Sequence, residues 1–297
     1  MSSFLTRMMT AWRRRWWRRD PAALAAYADL RPITVVTGAS QGIGFELARQ
    51  FAAAGNDLIL VARSAAPLWE AAARIRDEFK VDAIAVPADV TRPEAIPAIE
   101  SALMMHMGYA DVLVNCAGMG LAGPFHEQSP EAQLHLLDLN VRALTALTRH
   151  FINGMRVRGR GGILNVASLG GYIPAPYQAA YYASKAYVLS LTEALAAEVS
   201  GEGVRVCALA PGTVSTGFHA RMGSKNALYR YLVVSSSAEA VARAGYRGFT
   251  MGLRVIIPGV LNPFMALALR ILPHRIVIPF VGLLLKPRGR TAPDAGR

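Results

Sequence analysis

The sequence predicts a doubly wound α/β fold, in which helices cover both faces of a mostly parallel, seven-stranded sheet. From Ile33 onward, short runs of β-type residues alternate with longer segments of helical periodicity. This alternation is typical of parallel strands joined by right-handed crossovers. The chain has 297 residues, of which 53% are hydrophobic, so it can bury one large core. We therefore expect a single α/β domain at 32–259, with extensions at 1–31 and 260–297.

The predicted elements follow one another without a gap large enough for a second domain. Seven strands are predicted, at 33–37, 58–62, 83–86, 111–115, 162–167, 204–209 and 254–257. Helical patterns occupy the segments 43–54, 67–79, 93–107, 130–153, 177–200 and 238–250.

The net charge of +12 is confined to the two ends of the chain. Residues 1–19 carry six arginines and no acid, and residues 252–297 carry seven Lys/Arg against Asp294. The stretch 20–251 holds 19 basic and 19 acidic residues and is neutral. The high isoelectric point is therefore a property of the extensions and not of the α/β body.

The N-terminal segment has the pattern of a basic amphipathic helix. Its apolar residues recur at helical spacing, with most arginines on the other faces, which favours an anionic membrane surface over nucleic acid. The alternative is packing on a neighbouring subunit. No apolar stretch of the secretory type follows the arginines, so we expect a cytoplasmic protein. We also expect it to associate peripherally with a membrane through its ends and to form a homo-oligomer. The apolar residues are Leu5, Met8, Met9, Trp12 and Trp16.

The segment after Pro258 is apolar but interrupted. Prolines and charged residues break it into stretches shorter than the roughly 18 to 20 residues that span a bilayer, so no transmembrane helix is expected. Two interpretations remain open. The tail packs on the core or on a partner subunit, or it forms a wall over a substrate pocket or a hairpin seated in a membrane.

The first predicted strand leads directly into a glycine-rich loop and then into a helical pattern that ends before Gly55. Glycines at such a junction let the backbone approach a pyrophosphate, whose charge is attracted by the N–H groups and dipole of the helix start. The strand before and the helix after make the motif specific for a dinucleotide. The loop residues expected to bind cofactor are Gly38, Ser40, Gln41, Gly42, Ile43 and Gly44.

Other cofactor contacts are expected at the carboxyl ends of the following strands. Arg63 and Ser64 follow the second strand, where an acid would hold a ribose 2'-hydroxyl. A cation at this position pairs instead with a 2'-phosphate, which favours NADP(H) over NAD(H), unless Arg63 points to solvent. The residues expected beyond the third and fourth strands are Asp89, Val90, Asn115, Ala117 and Gly118.

A tyrosine and a lysine carry the predicted chemistry. Tyr181 and Lys185 are four residues apart on a helical pattern and therefore project from one face, where the ammonium favours ionisation of the phenol. Ser168 lies at the end of the fifth strand. Its hydroxyl can hydrogen-bond the substrate oxygen with which the Tyr181 phenol exchanges a proton. Tyr182 is a rival phenol, but it lies only three residues from Lys185.

These motifs, in this order, resemble the short-chain dehydrogenase/reductase family over roughly residues 33–259. The resemblance implies a single Rossmann domain and a tetrad of Asn140, Ser168, Tyr181 and Lys185, with Tyr181 and Lys185 also at the cofactor. In such a site Lys185 holds the nicotinamide ribose and Asn140 supports a water-linked proton relay. Pro211, Gly212 and Thr213 would meet the nicotinamide, Thr213 at its carboxamide. Cys116 stands where many relatives have a second asparagine.

We therefore expect an NADP(H)-preferring oxidoreductase that interconverts a carbonyl and an alcohol on a hydrophobic small molecule, such as a fatty-acyl, steroid-like or other lipid compound. The alternative is a catalytically weak, nucleotide-binding interaction protein recruited to membranes; an intact tetrad argues against it. Histidine and cysteine spacing indicates no metal site. Cys116 and Cys207 lie in apolar runs and are expected to be buried thiols.

Overall fold

The computed structural model describes residue 25 and residues 27–223 and 235–286. Seven parallel strands form the main sheet in the order β3-β2-β1-β4-β5-β6-β9. A second, two-stranded parallel sheet pairs β7 with β8. The strands are β1 (Arg31–Thr37), β2 (Asp57–Ala62), β3 (Ala83–Pro87), β4 (Gly108–Asn115), β5 (Gly161–Val166), β6 (Val204–Leu209), β7 (Val214–Ser215), β8 (Ser236–Ser237) and β9 (Val255–Ile256).

Helices connect the strands and extend beyond the last one. They are α1 (Gly42–Ala53), α2 (Ala65–Phe79), α3 (Ala95–Met105), α4 (Pro130–Leu137), α5 (Leu144–Arg158), α6 (Ala179–Glu198), α7 (Phe218–Arg221), α8 (Ala238–Met251), α9 (Asn262–Ile271) and α10 (His274–Leu285). Two 3-10 turns, at Phe125–Glu127 and Leu169–Tyr172, and one π-helical segment, at Asp138–Ala143, complete the described structure.

The core lies on both faces of the main sheet, because alternate strand residues point to opposite sides. On one face, Val36 and Leu60 pack in a cluster with α1, α2 and α8. On the other face, Val35 and Ile59 pack in a cluster with α3, α5 and α6. Strands covered on both faces are expected to be almost continuously apolar, as these are.

The strand order places a topological switch point between β1 and β4. The chain moves from β1 to β2 and β3 on one side, then returns to pair β4 with β1 on the other. Connections leave the carboxyl ends of β1 and β4 in opposite directions, which opens a crevice there. This crevice is where the glycine-rich loop after β1 lies.

The predicted fold class is confirmed, and so are the seven predicted strands. The predicted helix at 130–153 is helical throughout, but it contains a π-helical segment between α4 and α5 and continues to Arg158. The short pair β7 and β8 and the two helices of the tail were not predicted. The domain boundaries remain a prediction, and the predicted N-terminal basic helix lies outside the described residues.

The tail forms α9 and α10, joined at Leu272 and Pro273. Both helices pack on the α/β body: Ala266 of α9 and Val277 of α10 are buried, and Gly282 of α10 lies against Pro176. In the part of the chain that the structure describes, no helix combines the length and hydropathy needed to cross a membrane.

Candidate active site

A cleft of about 700 Å³ opens at the carboxyl ends of the strands. The loop and strand-end residues predicted to bind cofactor line it, with Asn115 as the exception. Three of the four predicted tetrad residues, Ser168, Tyr181 and Lys185, also line it. The cleft therefore brings the predicted nucleotide site and the predicted chemical groups into one continuous space.

The glycine-rich loop is packed too tightly for any side chain at two of its positions. Gly38 has a φ of +66°, and a Cβ there would lie 2.9 Å from the backbone of Ala117. A Cβ on Gly44 would lie 2.2 Å from the carbonyl oxygen of Gly38. Thr37, directly before the loop, ties it to the segment after β4. Its Oγ1 accepts hydrogen bonds from the N–H groups of Cys116 and Ala117, each at 3.1 Å.

The first turn of α1 faces the cleft without a competing acid. Gln41 precedes the helix in an extended conformation, and its side chain makes no capping hydrogen bond to the first turn. Among the described residues of that turn there is no acidic side chain. A helix start of this kind presents unpaired N–H groups and a positive dipole end, which suit a phosphate group. The cradle therefore fits a dinucleotide pyrophosphate.

Arg63 and Asp89 lie at the cofactor end of the cleft, beyond β2 and β3. Arg63 is exposed, as a residue binding a ligand phosphate would be. Burial alone would raise the pKa of the Asp89 carboxyl, but hydrogen bonds from Thr91 and the nearby charges of Arg63 and His135 together lower it. Asp89 is therefore held as a carboxylate, an acceptor for hydrogen-bond donors of the ligand.

Lys185 is buried beneath the cleft with its ammonium fixed in place. Its Nζ donates a hydrogen bond to the carbonyl oxygen of Val166 at 2.8 Å, and the side chain is 7% exposed. Burial lowers the pKa of this lysine to about 8, opposed by the Cys116 thiol, which raises it. Lys185 therefore stays mostly protonated at neutral pH while remaining sensitive to mild alkalinity.

Tyr181 lies beside this ammonium, and Ser168 lines the same cleft. The Nζ of Lys185 is 5.8 Å from the centre of the Tyr181 ring, which also packs against the rings of Tyr182 and Phe218. The Oγ of Ser168 accepts a hydrogen bond from the N–H of Gly170 at 3.0 Å. This leaves the hydroxyl proton of Ser168 available to donate to an oxygen in the cleft.

Asn140 lies behind the cleft rather than in its lining. It belongs to the π-helical segment and its amide is fully engaged. Its Oδ1 accepts from the N–H of Met119 at 2.9 Å, and its Nδ2 donates to the carbonyl of Met119 and to the hydroxyl of Ser184. A Cβ on Gly118 would lie 3.2 Å from Asn140 Oδ1 and 3.6 Å from Lys185 Nζ. Asn140 therefore fixes the loop beside the ammonium.

The remaining wall of the cleft is apolar and is supplied mostly by the tail. The tail also contacts the loop after β6, because a Cβ on Gly212 would lie 3.2 Å from the Nδ2 of Asn262, the first residue of α9. The apolar residues of this wall are Leu169, Ile173, Phe218, Met222, Met265, Leu269, Val277, Phe280, Val281, Leu284 and Leu285.

One predicted cofactor residue requires a correction. The side chain of Asn115 is buried away from the cleft, where its Nδ2 donates to Thr148 at 3.0 Å and to Asn165 at 2.8 Å. Asn165 in turn donates to Thr192. The amide thus ties β4 to β5 and to the helices behind them, because the alternation along β4 turns it to the same face as Leu113.

Three residues in the cleft or behind its glycine-rich loop were not predicted from the sequence. Thr37 closes the loop, Arg221 donates to the side chain of Gln41 at 3.5 Å, and Asn262 reaches Gly212. Thr37 opens the glycine-rich run, and that position was the one available signal. Within the described residues, no group of His, Cys, Asp or Glu is arranged to hold a metal ion. Both cysteines are free, and burial raises the pKa of each thiol to about 12.

Comparison with known proteins identifies relatives with the same architecture. A short chain dehydrogenase family model matches residues 32–227. The chain is 38% identical over 196 residues to 3beta-hydroxysteroid dehydrogenase 1 of Eggerthella lenta, covering 65% of this chain and 75% of that protein. It is 39% identical over 196 residues to galactitol 2-dehydrogenase (L-tagatose-forming) of Cereibacter sphaeroides, covering 65% and 76%.

A solved structure agrees with the sequence relatives. The short-chain dehydrogenase from Sphingobium yanoikuyae in complex with NADPH superimposes with a TM-score of 0.72 at 36% identity, covering 80% of this chain and 92% of the other. The family match extends over most of the α/β body, including the glycine-rich loop, Ser168, Tyr181 and Lys185. The chain therefore belongs to the short-chain dehydrogenase/reductase family of NAD(P)-dependent oxidoreductases, which act on alcohols and ketones.

Proposed function

We propose that this protein is an NADP(H)-preferring oxidoreductase that interconverts a carbonyl and an alcohol on a hydrophobic substrate, with Tyr181 as the acid/base. The observation that carries the proposal is the composition of one cleft. Ser168, Tyr181 and Lys185 meet there between a glycine cradle and an apolar wall. Such a cleft can hold a nucleotide and a hydrophobic carbonyl compound side by side.

The roles of the polar residues follow from their positions. The bound reduced cofactor would supply the hydride that adds to the carbonyl carbon. Tyr181 donates its phenolic proton to the carbonyl oxygen, and Ser168 hydrogen-bonds that oxygen as negative charge develops on it. The buried ammonium of Lys185 stabilises the tyrosinate that remains. In the oxidative direction the same groups act in reverse, with the tyrosinate accepting the alcohol proton.

Asn140 contributes by positioning. Its amide holds the backbone at Met119 and the hydroxyl of Ser184, and so fixes the loop beside Lys185. A water between this segment and the ammonium would complete a path for the proton that Tyr181 must recover after each turnover. Mutation of Asn140 is therefore expected to lower the turnover rate more than it changes substrate affinity.

Arg63 supports the preference for NADP(H). It lies where the adenosine ribose of a Rossmann-bound dinucleotide is expected, and a guanidinium pairs well with a 2'-phosphate. The Sphingobium yanoikuyae relative is described in complex with NADPH, in agreement with this preference.

The apolar wall supports a hydrophobic substrate. The relatives differ in the substrates that their names give, a hydroxysteroid in one case and galactitol in the other. Sequence similarity of this degree therefore leaves the substrate class open, and the lining of the cleft has to decide. Leucine, methionine, phenylalanine and valine side chains from the tail offer few partners for a polyol, whereas each buried methylene of a lipid-like ketone gains about 0.8 kcal/mol.

The test is NADPH oxidation with a series of ketones of increasing apolar length, alongside a polar keto sugar. We expect kcat/KM to rise by a few-fold per added methylene until the cleft is filled, and to stay low for the sugar. A preference for the sugar would contradict the substrate class. NADPH binding without turnover of any ketone, in either direction, would contradict the enzymatic role and favour a nucleotide-binding interaction protein.

A further inference from the structure

The outward faces of α9 and α10 are apolar, although the inward faces of both helices are already used to line the cleft. On α9, Phe264 is 70% exposed and Ile271 is 71% exposed. On α10, Ile276 is 68% exposed and Leu283 is 63% exposed. Helices that are apolar on both faces are typical of burial in a larger core or in lipid. An exposed surface of this kind marks an interaction site.

Within residues 262–286, the charged side chains are all basic. Arg270 lies at the end of α9, Arg275 at the start of α10, and Lys286 directly after it. The sequence from 252 to 286 contains no aspartate or glutamate, and Arg288 and Arg290 follow soon after. The exposed apolar side chains of α9 and α10, which together are called the patch below, are thus flanked by cations.

We propose that α9 and α10 seat the protein on an anionic lipid bilayer, with their outward apolar side chains among the acyl chains and the cations at the headgroups. A helix lying in the interface has this combination of an apolar face and flanking basic residues. At 10 and 12 residues the helices are too short to span the hydrocarbon layer, so they lie along its surface.

Two protein surfaces could also cover the patch: a second copy of the chain, or the N-terminal segment of the same chain. Their charge makes both less suitable than anionic lipid. A second copy of the chain would bring the basic rims of two tails together, because a symmetric interface uses the same surface twice. The N-terminal segment of the same chain carries six arginines and no acid in its first 19 residues, so it would repel the tail as well. An anionic headgroup layer complements the rim and accommodates the apolar side chains together.

The same helices connect this surface to the cleft. Met265 and Phe280 line the cleft and are also exposed, so they form part of its rim on the tail side. A hydrophobic substrate would then pass from the bilayer to the cleft over apolar side chains. This route rests on the proposed function, whereas the seating on lipid stands without it.

Vesicle flotation of the full chain tests the proposal. Wild type would be compared with a variant carrying Phe264→Glu, Leu267→Glu and Ile276→Glu, three exposed residues that do not line the cleft. A matched control carries Met104→Glu and Met105→Glu on α3, whose side chains are equally exposed but far from the tail in sequence. Vesicles of phosphatidylcholine alone, and with phosphatidylserine added, separate the apolar from the electrostatic contribution. Thermal unfolding of each variant establishes that it is folded.

We expect wild type and the α3 control to float with anionic vesicles, and the tail variant to lose at least about tenfold in partitioning. A second variant, Arg270→Gln with Arg275→Gln, should keep its fold and lose only the preference for anionic vesicles. If the tail variant floats like wild type, the proposal is wrong. The proposal is also wrong if light scattering shows an oligomer for wild type but not for the tail variant, while both bind vesicles equally. A second copy of the chain then covers the patch. Neither readout requires turnover, so failure of the proposed function would be seen separately.

Discussion

Burial of Lys185 predicts an unusual dependence of stability on pH. Burial lowers the pKa of this ammonium from an ordinary 10.5 to about 8 in the folded protein. At neutral pH the folded state therefore carries a buried charge at a cost of about 3 kcal/mol, at 1.36 kcal/mol for each pKa unit. Replacing Lys185 by methionine removes this cost, but it also leaves the carbonyl of Val166 without its donor, which costs roughly 1 to 3 kcal/mol.

The change with pH isolates the contribution of the charge, because the lost hydrogen bond contributes a nearly constant amount. Between pH 8 and 10.5 the unfolded chain binds a proton at Lys185 that the folded chain has released, so wild-type stability rises with pH in this window. The Met variant has no such group. Its unfolding free energy relative to wild type should therefore fall by about 2 to 3 kcal/mol between roughly pH 7 and 10.

Urea unfolding of both proteins across this pH range measures the difference directly. Lys286→Met is the matched control, since the same substitution there removes an exposed ammonium instead of a buried one. If the difference in unfolding free energy between Lys185→Met and wild type stays constant with pH, the Lys185 ammonium is not buried with a lowered pKa. The proposed role of Lys185 in the site would then be wrong.

Three further predictions concern Arg63, the glycine-rich loop and the N-terminal segment. Arg63→Asp should lower the ratio of kcat/KM for NADPH to that for NADH by tenfold or more, because a carboxylate repels the 2'-phosphate; an unchanged ratio would show that Arg63 points to solvent. Gly44→Ala should weaken cofactor binding at least about tenfold and lower the melting temperature, because its Cβ would lie 2.2 Å from the Gly38 carbonyl oxygen. Unchanged cofactor affinity in calorimetry would contradict this packing of the loop. A chain beginning near Asp29 should float less with anionic vesicles at low salt than the full chain; equal flotation would remove the N-terminal segment from the membrane contact.

Much of the fold and the site could be predicted because the relevant patterns are local. The alternation of strands and helices identifies the sheet, and the glycine-rich run identifies its first crossover. Tyr181 and Lys185 share a helix face because they are four residues apart, and the structure places both at the cleft. Ser168 joins them because β5 is a neighbour of β4 and ends at the same edge of the sheet.

Other features depend on contacts between distant segments and were not predicted. The helix at 130–153 changes to a π-helical segment where Asn140 bonds to Met119 and Ser184, which lie 21 and 44 residues away. The approach of Asn262 to Gly212 is equally non-local. The orientation of Asn115 is a different case, because strand alternation is a local signal and places its side chain on the face of Leu113, away from the cleft.

The role of Tyr181 as the proton donor is tested by removing its hydroxyl. Tyr181→Phe removes the phenolic hydroxyl and keeps the ring that packs against Phe218. Carbonyl reduction with NADPH should fall by about 10²- to 10⁴-fold in kcat, while the dissociation constant for NADPH, measured by fluorescence, stays within about twofold of wild type. Tyr182→Phe, in the rival phenol, should retain most of the turnover. A Tyr181→Phe enzyme with near wild-type kcat would contradict the account.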